Sequence, residues 1–315
     1  MNRRRPNGSP GGGRAGGLGR WIRVSRANFL PASLLPYCLG AAFALHLRYP
    51  FRPLLFLLGL VGAGTVHLAA NLFNEYWDWR FAADRPAGKR LPHYGGSGAI
   101  QEGAVAPGAV LAAAWSGLGA ALLLGILLSL HLGNLLLPVL VVSGGAIAWA
   151  YTAPPLRLVY RGGGEAALGL AFGPLLTGGG YLLAAGALSG PAVLLSLGPG
   201  FIMAALLTAN EFGDTADDAR AGKRNLVVRA GPRGGRIWVN LFLFLAYSVP
   251  AVGVLAGVFP PLALLAFLSL LPAAGAAAEI ARAVRGEGDF ARSSRLMIKT
   301  YNLYHLCLIA GIIVL

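Results

Sequence analysis

The sequence predicts an all-α membrane protein, a bundle of about nine transmembrane helices in two related halves. Three observations carry that prediction. Of 315 residues, 56% are hydrophobic and only 12% are charged, a balance far too apolar for a soluble domain of this length. Apolar stretches recur along the chain, each near the roughly 20 residues that a helix rising about 1.5 Å per residue needs to cross about 30 Å of hydrocarbon. A polar pattern, Asn-x-x-x-Asp, occurs at Asn74 and Asp78 and again 136 residues later at Asn210 and Asp214.

In order, the predicted spans are residues 28–47, 53–75, 107–132, 134–151, 165–185, 191–212, 237–258, 262–283 and 299–315. Lipid offers no partner to a bare N–H or C=O, so each span satisfies its backbone within its own helix. Glycines inside spans, such as Gly62, Gly144 and Gly178, mark close helix contacts or local breaks. Cys38 and Cys307 fall inside the first and last spans, where a thiol behaves as a small apolar group, and no disulfide is expected. Residues 1–20 are rich in Arg and Gly with too few apolar groups to fold, and no small-residue cleavage pattern ends the first apolar stretch. A disordered basic tail over 1–20 and one membrane domain over 21–315 are expected.

The formal charge of +14 raises the question of a nucleic-acid partner, and its distribution answers against one. With the amino terminus in the cytoplasm and the carboxyl terminus outside, every Lys and Arg except Arg48 and Arg52 falls on the cytoplasmic side. Basic residues placed this way set topology in a cell membrane. All 12 acidic residues fall on that same side. Charges of both signs massed at one face, some at the ends of apolar helices, point to a polar site opening there.

The chemistry gathers in two segments. Asn71, Asn74 and Asp78 share a face where the second span ends, with Glu75 beside them and Asp84 six residues beyond Asp78. Asn210, Asp214 and Asp218 form the matching stripe at the end of the sixth span, with Glu211 and Asp217 off it. Converging carboxylate and amide oxygens suit a hard cation, above all Mg²⁺. That ion usually binds through a few carboxylates plus substrate phosphates, so a diphosphate fits. Arg85 and Lys89 after the first motif, with Lys223 and Arg224 after the second, are placed to bind its oxygens. A single acidic motif at a helix end would read as an ordinary interfacial feature; two of the same spacing, each followed by cations, do not.

At these residues the chain resembles the UbiA superfamily of membrane prenyltransferases, over nearly all of its length after the tail. Four local patterns are most similar to the subgroup acting on 1,4-dihydroxy-2-naphthoate in menaquinone biosynthesis. They are the spacing from Asn71 to Asp84, the loop at 95–103 (Gly-Gly-Ser-Gly-Ala-Ile-Gln-Glu-Gly), the segment from Tyr151 to Glu165, and the end of the second motif at 222–226. Glu75 and Asn225 depart from the residues frequent there, Asp and Thr. The resemblance implies that Asn74, Asp78, Asp84, Asn210, Asp214 and Asp218 hold Mg²⁺ and that a polyprenyl diphosphate ionises to an allylic cation. It also implies catalytic roles for Asp78, Asp214 and Tyr151, while Arg26, and Arg161 with Glu165, are placed to contact a carboxylated aromatic acceptor or the diphosphate. Aromatic faces to hold the cation are sought in Tyr151, Trp149, Tyr76 and Trp77. His67, in mid-span, reads more simply as a packed helix residue than as a base.

Other readings fit less well. A secondary transporter predicts charge near the bilayer midplane, and these spans hold almost none. Soluble prenyl synthases are excluded by hydropathy. Within the superfamily, 4-hydroxybenzoate and a glycerol phosphate lipid are the alternative acceptors.

Overall fold

The computed structural model describes residues 17–81 and 96–313. Among these, eight helices are long and apolar enough to cross a membrane, and the fourth predicted span is present as a shorter apolar helix, Leu136–Thr152. A short helix α1 (Gly17–Val24) leads through a 3₁₀ turn into α2 (Leu30–His46), followed by α3 (Pro53–Arg80), α4 (Pro107–Leu132) and α5 (Leu136–Thr152). The small α6 (Leu158–Arg161) precedes a broken span made of α7 (Gly164–Leu170), a π turn (Ala171–Leu175) and α8 (Leu176–Ala185). Then come α9 (Gly190–Arg220), α10 (Leu226–Leu255), a 3₁₀ segment (Pro261–Ser269) continued by α11 (Leu270–Val284), and α12 (Phe290–Ile313).

The apolar windows locate every span but shorten four of them, always at the charged end. α3 ends at Arg80 rather than 75 and α9 at Arg220 rather than 212, while α10 starts at Leu226 rather than 237 and α12 at Phe290 rather than 299. Hydropathy marks where lipid ends; the helix continues into the headgroup layer because its hydrogen bonds are internal. As a result, both Asn–Asp stripes are fully helical. The tail boundary also moves: α1 begins at Gly17, with Leu18, Trp21 and Ile22 exposed beside Arg20 and Arg23, an amphipathic pattern suited to a membrane surface.

Close backbone contacts hold the bundle where lipid supplies no hydrophobic drive between helices. α2 crosses α8 at Gly40 and Gly180: a Cβ on the first would stand 1.9 Å from the Thr177 carbonyl oxygen, and on the second 2.0 Å from that of Tyr37. The broken span meets α9 in the same way, with Gly173 against the Ser196 carbonyl. Pro174 lies inside the π turn, where its missing N–H is tolerated, and the bulge turns Ala171, Phe172 and Leu175 toward the interior of the bundle. α12 is pinned to α2 by the Tyr301 hydroxyl, which donates to the Ala32 carbonyl at 2.6 Å.

Because nothing at Gly40 or Gly180 can move except backbone, Gly40→Val and Gly180→Val should each destabilise the protein by at least about 1–3 kcal/mol. Gly119→Ala, at a position with open space around it, should be neutral or slightly stabilising. Thermal unfolding in detergent, followed by loss of the monodisperse peak, checks the contrast.

Candidate active site

A cavity of about 490 Å³ runs through the bundle between the two acid-bearing helices. α3 presents Gly59, Ala63, His67, Asn71, Asn74 and Asp78 to it at three- and four-residue steps, so this wall changes from apolar to polar toward the charged end. α9 does the same with Met203, Leu206, Asn210, Asp214 and Asp218. The remote end is closed by Leu128, Leu137, Leu183 and Tyr37, whose hydroxyl donates to the Phe56 carbonyl at 2.9 Å.

The two halves meet at Lys223. Its Nζ stands 3.7 Å from Asp78 Oδ1 and 3.4 Å from Asp218 Oδ1, with all three side chains largely shielded. Asp218 Oδ2 also accepts from Asn225 Nδ2 at 2.9 Å, while Asn225 Oδ1 accepts from the Val228 N–H at 2.9 Å and so caps α10. Each half orients its asparagine from a later helix: Thr152 Oγ1 donates to Asn74 Oδ1 at 3.1 Å, and Ser294 Oγ donates to Asn210 Oδ1 at 2.6 Å. Thr152 ends α5 and Ser294 lies in α12, so each amide is positioned by a hydroxyl from outside its own helix.

The remaining predicted residues divide into those the cavity gathers and those it does not. Asp214, Tyr151 and Arg26 line it, with Tyr151 packed against Gly164. Arg26 holds a left-handed backbone at φ 51°, unusual for a residue with a Cβ, and its Nε lies 3.4 Å from Glu75 Oε1. Glu165 is buried off the cavity wall, where its Oε1 accepts from the Leu226 N–H at 2.7 Å, so this carboxylate braces the start of α10. Arg161 and Arg224 are exposed and do not line the cavity. Asp84, Arg85 and Lys89 lie outside the described residues.

Sequence reasoning also missed parts of the site. Of the aromatic candidates only Tyr151 lines the cavity; Tyr76, Trp77 and Trp149 pack instead around Leu72, Phe73 and Val110. The other aromatic rings on the wall are Phe29, Tyr37, Phe172 and Tyr301, which no motif marks. Arg157, also in a left-handed conformation at φ 44°, lays its guanidinium over Phe81 at 4.0 Å and Tyr160 at 3.7 Å. Burial, and then the Asp78 carboxylate, push the Tyr160 hydroxyl above its ordinary pKa, against Lys223 and Arg157. Glu75 is buried and takes both the Ser97 N–H at 2.5 Å and the Ser97 hydroxyl at 2.7 Å, so it fastens the approach to α4 rather than facing the cavity.

The membrane bundle thus encloses a long, largely apolar cavity with carboxylates, amide oxygens and an ammonium at one end. The model of the UbiA prenyltransferase family matches residues 33–303, and the chain belongs to that family: it is an integral membrane prenyltransferase. The 1,4-dihydroxy-2-naphthoate octaprenyltransferase of Bacillus subtilis is 26% identical over 79% of this chain and 78% of its own. The enzyme of the same name from Mycobacterium tuberculosis is 29% identical over 81% of this chain and 85% of its own. Among solved structures, a UbiA homologue from Aeropyrum pernix has a TM-score of 0.68 at 21% identity, covering 90% of this chain and 98% of its own. One from Archaeoglobus fulgidus, bound to GPP and Mg²⁺, has a TM-score of 0.59 at 16% identity over 92% of this chain and 99% of its own. Both likenesses establish the fold.

Asn225 joins the second motif to α10, so Asn225→Ala should lose both the cap, about 1 kcal/mol, and the donor that steadies Asp218. The expected result is a lower unfolding midpoint together with weaker prenyl diphosphate binding. Asn225→Ser, which keeps a capping oxygen but not the amide donor to Asp218, should restore most of the midpoint without restoring binding.

Proposed function

We propose that this prenyltransferase uses Mg²⁺ to transfer a polyprenyl chain from polyprenyl diphosphate to 1,4-dihydroxy-2-naphthoate, with decarboxylation, in menaquinone biosynthesis. The observation that carries the reading is the convergence of Asp78 and Asp218 on one cation, Lys223 Nζ, at the polar end of an apolar cavity. The acceptor follows from the relatives named as naphthoate prenyltransferases and from the four local patterns in the sequence.

The donor set fits the ion. Asp78 and Asp218 already share one positive charge, and the amide oxygens of Asn74 and Asn210 are held in place by hydroxyls, all hard oxygen donors. Mg²⁺ commonly completes such a set of oxygen donors with substrate phosphates and water. Asn74, Asp78, Asn210, Asp214 and Asp218, with Asp84, would hold it; when bound, Mg²⁺ supplies a Lewis acid that draws charge from the departing diphosphate. Lys223 offers its ammonium to the same anionic head. The apolar walls keep water from the allylic cation, and the faces of Tyr151, Phe172 and Tyr301 suit a delocalised positive charge. Arg26 stands at the polar end, where the carboxylate of an aromatic acid would find it. With basic residues concentrated at the charged end, the amino terminus and the site face the cytoplasm.

Three outcomes follow. Activity in proteoliposomes is lost in EDTA and returns with Mg²⁺, and Asp78→Asn or Asp214→Asn lowers kcat by at least about a hundredfold in protein that still inserts; near wild-type rates in both variants overturn the metal assignment. Naphthoate is preferred over 4-hydroxybenzoate by at least about tenfold in kcat/KM, since a pocket shaped for the larger ring loses about 1–3 kcal/mol per missing apolar group. In a background of Cys38→Ala and Cys307→Ala, a cysteine at Ala221 is labelled by impermeant maleimide from the cytoplasmic side only and one at Tyr49 from the outside only; the reverse pattern overturns the orientation.

A further inference from the structure

One polar side chain on the cavity wall takes no part in the chemistry above. His67 lies on the same face of α3 as Asn71, Asn74 and Asp78, seven residues before Asn74 and so about 10 Å deeper along the helix axis. Its Nδ1 is 2.6 Å from Ser33 Oγ on α2, and its ring meets Phe172 edge to face with centroids 6.1 Å apart at 82°. Its Nε2 is buried and has no hydrogen-bond partner among the described residues. Leaving such a group unsatisfied costs about 1–3 kcal/mol, so filling space does not account for a histidine where an apolar side chain would pack without that cost.

The occupant of the cavity is the natural source of the missing partner, and the chemistry of the two substrates decides which one. The diphosphate belongs with Lys223 and the carboxylates at the polar end, and a polyprenyl chain carries no polar atom to offer at the depth of His67. An aromatic acceptor whose acidic group is held near Arg26 carries ring hydroxyls further in. We infer that His67, fixed by Ser33, hydrogen-bonds a ring hydroxyl of the aromatic acceptor and sets the orientation of its ring. This deepens, and rests on, the reading that the acceptor is a hydroxylated aromatic acid. Ser33 settles which ring nitrogen is left for the ligand; Phe172, against the imidazole edge, keeps the ring from rotating away.

The test uses the full chain in proteoliposomes with Mg²⁺, geranylgeranyl diphosphate and 1,4-dihydroxy-2-naphthoate. His67→Leu should raise KM for the naphthoate by about tenfold, the loss of one hydrogen bond worth about 1.4 kcal/mol, while KM for the diphosphate stays within about twofold. His67→Gln, which keeps a donor and an acceptor, should return the naphthoate KM to within about threefold of wild type. Inhibition by 2-naphthoate, which has no ring hydroxyl, should be equally strong in wild type and His67→Leu; a purely structural effect would weaken it along with the substrate. An unchanged naphthoate KM in His67→Leu, a parallel rise for both substrates, or weakened 2-naphthoate inhibition overturns the inference. Where His67→Leu fails to insert, Ser33→Ala decides: a rise in naphthoate KM alone supports the inference and no change overturns it. A wild-type protein that prenylates 4-hydroxybenzoate but not naphthoate defeats the naphthoate assignment, and the same comparison with 4-hydroxybenzoate then decides His67.

Discussion

The whole arrangement depends on Lys223 standing between Asp78 and Asp218. These carboxylates come from different halves of the bundle, and a like-charged pair at this separation from a common centre is tolerable only with a cation between them. Hydrocarbon cannot host such a group, so the helices that carry the acids must extend beyond it. α3 and α9 do so, being 28 and 31 residues long, and the chain after α9 must turn back at once to bring Lys223 over the mouth. Gly222, at φ 78°, permits that turn, and Asn225 begins the next helix two residues after the lysine. The second motif is thus a single device: stripe, turn, cation and cap follow one another between Asp218 and Asn225.

Below this clasp the requirement is the opposite. On the proposed function the cavity holds a reactive cation away from water and needs mainly apolar walls, and a membrane bundle must build them without a hydrophobic force between its helices. Glycine contacts supply the cohesion: α2 against α8 at Gly40 and Gly180, and the broken span against α9 at Gly173 and Gly200. Both contacts involve the span that contains the π turn, so the irregular backbone is held between two close crossings while its side chains form cavity wall. Tightness on the outer faces of this span and space on its inner face are the same structural feature.

The fold and the stripes were legible because both are periodic. Hydropathy gives the spans, and a four-residue step puts Asn74 with Asp78 and Asn210 with Asp214 on single helix faces, as found. Where the reading fell short, the information was not periodic. Glu165 sits in a matching segment yet binds the Leu226 N–H, 61 residues away, a partner no local spacing reveals. Arg161 and Arg224 neighbour the site in sequence but point away from it, because adjacent residues in a helix or turn face different directions. The aromatic wall came from Phe172 and Tyr301, each one residue among many in an apolar run, whereas Trp77 and Tyr76, conspicuous beside the motif, pack on its outer face.

Those off-stripe carboxylates show how far the internal repeat goes. The Asn–Asp stripes match between the halves, whereas the hydroxyls that orient their asparagines come from non-equivalent helices, Thr152 on α5 and Ser294 on α12. The bracing differs. In the first half a buried carboxylate, Glu75, ties Ser97 and Arg26 together, joining α3 to the segments before α2 and before α4. In the second half the comparable work is divided between Glu165, reaching from the broken span, and Asn225, capping α10. On the proposed function, oxygen donors aimed at one shared ion and one shared diphosphate must keep their spacing, since an error of a fraction of an ångström would be felt directly in coordination. The braces need only fix the helix ends, and any buried acceptor with a backbone N–H to satisfy can do that. The symmetry therefore survives in the stripes that line the cavity and dissolves one helix face away from them.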